Sequence, residues 1–261
     1  MSSQEKNLTP AQARARIARR EITGHTAGLC PGFAQANLVI LPKDWAFDFL
    51  LFCQRNPKPC PLLEVLDPGQ PLTGVIADQA DVRTDLPRYR VWQKGELIEE
   101  PLDISPWWRD DLVSFFLGCS FGFDAALQKA GLPVRHLERG SNVPMFKTTR
   151  PNVRAGRLGG PLVVSMRPMS PVQARLAVEV SGRFEKSHGA PVQVGDPEAL
   201  GIQDLARPDF GDAVEIKPGE IPVFWACGVT PQAAVMEARP DLAITHAPGH
   251  MFITDLKADQ A

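Results

Sequence analysis

The sequence predicts an α/β fold with a mostly parallel sheet covered by helices on both faces, and three observations carry this expectation. In the last hundred residues, apolar runs alternate with helical patterns: Pro161 to Met166, Pro171 to His188 and Val192 to Gly195, then Ile221 to Ala226, Thr230 to Ala238 and Leu242 to Thr245. At Trp225-Ala226-Cys227-Gly228-Val229-Thr230-Pro231 an apolar run meets a glycine turn and a Thr-Pro pair of the kind that starts helices. Near the beginning, a strand, a helix and a second strand make a βαβ-like opening.

Taken in order, the first helix opens at Leu8-Thr9-Pro10, with Thr9 as N-cap and Pro10 in the first turn, where a missing N–H costs nothing, and runs to about Arg20. Thr23 to Phe33 is rich in glycine and small residues and reads as a loop. Ala36 to Leu41 is a short apolar run closed by Pro42, hence a buried strand. Lys43 to Arg55 puts Trp45, Phe49, Leu50, Phe52 and Cys53 on one face, and Asn56-Pro57 stops it, so it is a helix. Pro61 to Leu66 supplies the next strand. From Asp67 to Trp108 turns dominate, and Tyr89 to Trp92, a Lys94-Gly95 turn and Glu96 to Glu99 read as a hairpin. Arg109 to Ala130, with Leu112, Phe115, Phe116, Phe123 and Leu127, reads as one helix or two abutting ones, stopped by Gly131-Leu132-Pro133. On this division residues 1–75 and 150–261 form a discontinuous main domain, and 76–149 form a smaller inserted α+β unit.

Composition narrows the function classes. The chain has 261 residues, 44% of them hydrophobic and 22% charged, so it can bury a core of its own. With a net charge of −2 its only basic cluster is Arg14, Arg16, Arg19 and Arg20, which reads as an exposed helix face and gives nucleic-acid binding no support. No apolar run is long enough to span a bilayer, and no leader pattern opens the chain, so a cytoplasmic protein is expected. Cys30, Cys53, Cys60, Cys119 and Cys227 are scattered without CxxC spacing, the usage of a reducing compartment.

In parallel α/β sheets, ligands lie beyond the carboxyl ends of the strands, and candidate chemistry gathers in those loops. The Gly228 turn, with Thr230 as helix cap, offers backbone N–H groups to a carboxylate or oxyanion, and Cys227 is a candidate nucleophile against the alternative of a buried apolar thiol. His246 and His250 flank Pro248-Gly249, which forbids the helix of a zinc pair; they read as acid–base histidines, with metal binding alongside Asp255 or Asp196 as the lesser alternative. Arg167 at a strand end, and Arg83 and Arg88 around Pro87, are candidate carboxylate clamps; for the arginine cluster the competing view is a hairpin edge with Arg83 paired to Asp85. Glu138, Asn142 and Asn37 are polar residues beside apolar runs, and Gly118, Cys119 and Ser120 bring small and reactive groups into an aromatic helix.

Gln35 to Pro42, Arg83 to Arg90, Leu117-Gly118-Cys119-Ser120-Phe121, Asn142-Val143-Pro144-Met145, Gly160 to Pro168, Pro222 to Gln232 and Ile244 to Met251 together resemble the D-glutamate cyclase family of hydro-lyases, in order and over nearly the whole chain. The resemblance implies a three-layer αβα domain joined to a smaller two-layer α/β domain. It also implies an enzyme of amino acid metabolism that removes water from a small amino or hydroxy acid, with closure of D-glutamate to 5-oxo-D-proline as the specific form.

On that expectation Arg167 and Arg88 hold carboxylates, with Arg83, Asn142, Ser120 and Thr230 as further binding groups. The Gly228 turn stabilises the oxyanion, His246 or Glu138 deprotonates the amine, and His250 or Asp196 protonates the leaving oxygen. No cofactor is required in principle, although elimination of a β-hydroxyl through the same groups leaves a place for a divalent metal. The alternative outside enzymology is a carboxylate-binding or regulatory protein that uses the same arginines without turnover. The expected partner is a small carboxylate-bearing molecule, and homo-oligomerisation is compatible with the sequence.

Overall fold

The computed structural model describes residues 8–260. Strand β1 (Phe33–Pro42) is central, because it is mostly apolar, with Gln35 and Asn37 as its polar residues, and is buried on both faces. Around it lie β2 (Leu62–Val65), β3 (Tyr89–Gln93), β4 (Glu96–Glu99), β5 (Leu112–Gly118), β10 (Ala243–His246) and β11 (Phe252–Lys257). They form one seven-stranded sheet in the order β2-β5-β1-β10-β3-β4, with β11 sharing the β10 flank of β1. A second sheet has the order β6-β7-β9-β8, made by β6 (Met145–Pro151), β7 (Pro161–Met169), β8 (Gln193–Val194) and β9 (Ile221–Ala226).

Every strand pair in both sheets is antiparallel, which corrects the expected parallel arrangement. The reason lies in burial. Uniformly apolar strands usually mark parallel sheets because those are covered on both faces. Here antiparallel sheets are covered on both faces too. On β1, Leu38 and Ile40 pack with Tyr89, Phe116 and the irregular segment around Ile76 and Leu86. Val39 and Leu41 turn the other way, onto α2 (Lys43–Arg55) and α6 (Val229–Ala238). In the second sheet, Val223 and Trp225 pack against α3 (Phe121–Lys129) and α5 (Pro171–Gly182), while Val164, Met166 and Phe224 face Leu200, Ile202 and Val214.

Helix α1 (Pro10–Ala18) begins as read, with Thr9 and Gln12 closing a capping box. Arg14 departs from the exposed face assigned to it: it is buried and grips both carboxylate oxygens of Asp255 at 3.0 Å, tying α1 to β11. The stretch read as helix from Arg109 onward is β5 followed by α3, since alternate residues of β5 fill opposite cores, Phe115 in one and Phe116 in the other. Residues 76–149 contribute β3, β4 and β5 to the sheet of β1 and β6 to the second sheet, so the sheets do not divide along the boundaries drawn from sequence. All five cysteines are free and buried.

Candidate active site

Two strand-to-helix junctions bring the polar residues together. β5 ends at Gly118, and Cys119-Ser120 leads into α3; β9 ends at Ala226, and Cys227-Gly228 leads into α6. Between the junctions β7 presents Ser165 and Arg167, and α3 presents Asp124. The short helix α4 (Arg135–Arg139) supplies His136.

Arg167 is 1% exposed, yet its charge is matched. Its Nε donates to Asp124 Oδ1 at 3.0 Å, Nη2 forms an ion pair with the same oxygen at 2.8 Å, and Nη1 and Nη2 donate to the Ser165 and Ser120 hydroxyls at 3.2 Å. Phe123 and Trp225 lie against each other and both contact the guanidinium, with centroids 5.0 and 5.3 Å from it. The second Asp124 oxygen, Oδ2, has no hydrogen bond among the described residues and lies 3.4 Å from His136 Nε2. Burial pushes the Asp124 carboxyl up, but Arg167 and His136 outweigh it and hold Asp124 below the ordinary carboxylate value. Burial likewise dominates at His136 and keeps its imidazole below the usual histidine value despite Asp124. The result is a buried, ionised carboxylate beside a neutral imidazole.

Of this cluster Asp124 lines a cavity of about 670 Å³. Asp124, Phe121 and Gln128 line it from α3, Gln35 from β1, and the glycine-rich segment from Glu21 to Phe33 closes the opposite side. Gln35 is 3% exposed; its Nε2 donates to the Thr26 and Leu29 carbonyls, and its Oε1 has no partner among the described residues. Among the described residues no lysine or arginine lines this cavity. Side chains on its wall able to donate include Thr23, His25, Ser141 and the Gln128 amide.

The residues expected at the site separate into two groups. Arg167, Ser120 and Cys227 converge, and Arg167 sits close enough to Cys227 to oppose the effect of burial, which still pushes that thiol up to about 11. Gly228 packs against the Asn37 amide. Thr230 does not cap α6, whose N-cap is Gly228; its hydroxyl instead accepts from Val163 N–H at 3.0 Å and donates to Val163 O at 3.2 Å, locking α6 onto β7. Arg167 is no free clamp, because Asp124 already occupies it.

The remaining residues lie elsewhere. His246 is buried, its Nδ1 lies 3.1 Å from Leu38 N and 2.8 Å from the Gln232 amide, and burial drives it down to about 3. His250 lies against His25, with ring centroids 4.7 Å apart and the planes tilted by 37°, and is brought to about 4, mainly by burial. Arg83 pairs with Asp81 at 2.7 Å, not with Asp85, and the Arg88 carbonyl accepts from Ala247 N. Glu138 folds back onto Val134 N, Asn142 caps its own loop through Val143 N and Asp212, and Asp196 caps the short helical turn Pro197–Leu200. In an antiparallel sheet the carboxyl ends of neighbouring strands point to opposite edges, so no single edge collects the loops.

Asp124, His136 and Gln35 were not singled out from sequence. The available signal was a lone acidic residue between Phe123 and Leu127 on an apolar helical face, where an unpaired charge would be expensive. Among the described residues no group of three or more His, Cys, Asp or Glu side chains is placed to hold a metal ion, and no helix is long and apolar enough to cross a membrane.

Two antiparallel sheets joined at a buried acid–base cluster in a cavity wall define an α/β protein of enzyme type. Residues 113–255 match the family model described as D-glutamate cyclase. Proteins bearing the name "Putative hydro-lyase" are similar over almost their whole length. One from Bacillus licheniformis is 59% identical over 97% of both chains, and one from Rubrobacter xylanophilus is 63% identical over 94% of this chain and 95% of its own. A third, from Stutzerimonas stutzeri, is 60% identical over 98% of this chain and 96% of its own. The chain belongs to the D-glutamate cyclase family. Among solved structures, a nitrogen repressor-like protein from Methanococcus jannaschii covers 94% of this chain and 97% of its own at TM-score 0.40 and 10% identity, too distant to bear on the fold.

Proposed function

We propose that the chain removes water from a small amino acid, specifically by closing D-glutamate to 5-oxo-D-proline. The observation that carries this reading is Asp124, backed by His136 and Arg167, in the wall of a cavity that holds carboxylate and amide acceptors and, among the described residues, no lysine or arginine. Such a wall suits an ammonium group. The substrate carboxylates fall to Thr23, His25, Ser141 and Gln128, in place of the arginine clamp expected from sequence.

The proton balance fits a paired acid and base. Ring closure requires the α-ammonium to lose two protons, the amine nitrogen to bond the γ-carboxyl carbon, and one γ-oxygen to leave carrying both protons as water. Neutral His136, oriented by Asp124, takes the two amine protons in turn and returns each to the departing γ-oxygen, and Asp124 stabilises the imidazolium between the steps. Arg167 keeps Asp124 ionised throughout. No net proton is gained or lost. The name carried by the relatives favours a second reading, loss of a β-hydroxyl after proton abstraction at Cα, which would yield an unsaturated or keto acid.

The test is incubation of metal-stripped and metal-supplemented protein with D- and L-glutamate, followed by chiral product analysis. Formation of 5-oxo-D-proline from the D-isomer is expected, and Asp124→Asn should lower turnover by about 100-fold or more while thermal unfolding shows a folded protein. Absence of 5-oxoproline under every metal condition overturns the cyclase reading.

A further inference from the structure

A second cavity, of about 400 Å³, is lined by residues of both sheets and of α6. Arg90 and Trp92 reach it from β3 in the first sheet, Lys147 from β6 in the second, and Arg239 from the C-terminal end of α6. Its charge is the opposite of the first cavity's. Arg90 already holds Glu100 at 2.5 Å, but neither Lys147 nor Arg239 has a carboxylate within ion-pair distance among the described residues. The one carboxylate on this wall, Glu237, offsets a single positive charge. Two of the cations are set against aromatic rings: Arg90 lies 5.9 Å from the Trp92 centroid, and Lys147 lies 5.6 Å from that of Phe210. These contacts restrain the long side chains and lower the entropy lost when they grip a ligand. Gln232, 3% exposed, lines the cavity from the first turn of α6, with its amide nitrogen held on His246.

We propose that this cavity is a binding site for a small multivalent anion, with Lys147 and Arg239 as the principal cationic contacts and Arg90 and Gln232 beside them. Ammonium and guanidinium groups on different walls fit separate anionic oxygens of one ligand, as in a dicarboxylate or inorganic phosphate. The proposal does not depend on the reaction assigned to the first cavity.

Titration calorimetry at constant ionic strength, with glutarate and with inorganic phosphate as probes, tests it. Saturable one-to-one binding of either is expected, and the tighter probe identifies the ligand as a dicarboxylate or a phosphate. The paired substitution Lys147→Ala and Arg239→Ala should weaken binding at least about tenfold. Arg183→Ala, which removes an exposed charge that does not line this cavity, should leave it unchanged. Ala233→Glu, placing a carboxylate on the cavity wall, should also weaken binding and provides a check that leaves both cations in place. Failure of both probes to saturate the wild-type protein overturns the proposal, as does equal affinity in wild type and the doubly substituted protein.

Discussion

At Gly228 the constraint is space rather than backbone conformation. Its φ of −65° is open to any residue, but a Cβ would run into the Asn37 amide, whose Nδ2 donates to Gly118 O at 2.8 Å and Leu117 O at 3.3 Å. Asn37 therefore holds the end of β5 while Gly228 lets the β9–α6 junction close over it. Gly228→Ala should destabilise the protein by about 1–3 kcal/mol, the usual range for overpacking, and adding Asn37→Ala should recover part of that loss in urea unfolding. A double-substitution loss equal to the sum of the two single losses would show that the two residues are not coupled. Arg167 teaches a related lesson. An arginine at a strand end looks available to a ligand, and its importance was legible, but its partner Asp124 lies 43 residues away and no local pattern links them.

Among the elements, those whose ends carry their own chemistry were legible. Ser170-Pro171 and Gln173 begin α5 with a complete capping box, Ser170 Oγ accepting from Gln173 N and the Gln173 side chain accepting from Ser170 N. Ser170→Ala should cost about 1 kcal/mol, measurable by chemical denaturation, with Ser170→Asp retaining most of the stability. β5 was not legible. Its Leu112, Phe115 and Phe116 fall at helical spacing, yet both faces of the strand are buried, so the alternation that marks a half-exposed strand is missing. Its pairing with β1 over Ala36–Pro42 decides the matter, and that contact spans more than 70 residues of chain.

For the whole molecule, the buried histidines tie stability to pH. His246 and His188 have folded-state values lowered to about 3 and about 4, chiefly by burial. Each therefore contributes stability that is complete above the unfolded histidine value of about 6.5 and is lost as pH falls toward its folded value. Each group should remove about 1.4 kcal/mol of stability per pH unit through this window. Unfolding followed from pH 7.5 to 4.5 should show weakening from about pH 6.5 downward, before most carboxylates titrate. His246→Gln should flatten that slope, and an unchanged slope would mean that His246 does not carry it.

The sequence by itself determined where most strands and helices begin and end, because prolines, caps and glycine turns act over a few residues. It also determined the family, because the marker segments recur in order along nearly the whole chain. Only the tertiary structure decided that the sheets are antiparallel, that Arg167 is spent on Asp124, and that His246 and Cys227 are buried instead of presented to solvent. These outcomes depend on pairings between distant segments and on the burial those pairings impose, and a linear pattern of residue types encodes neither.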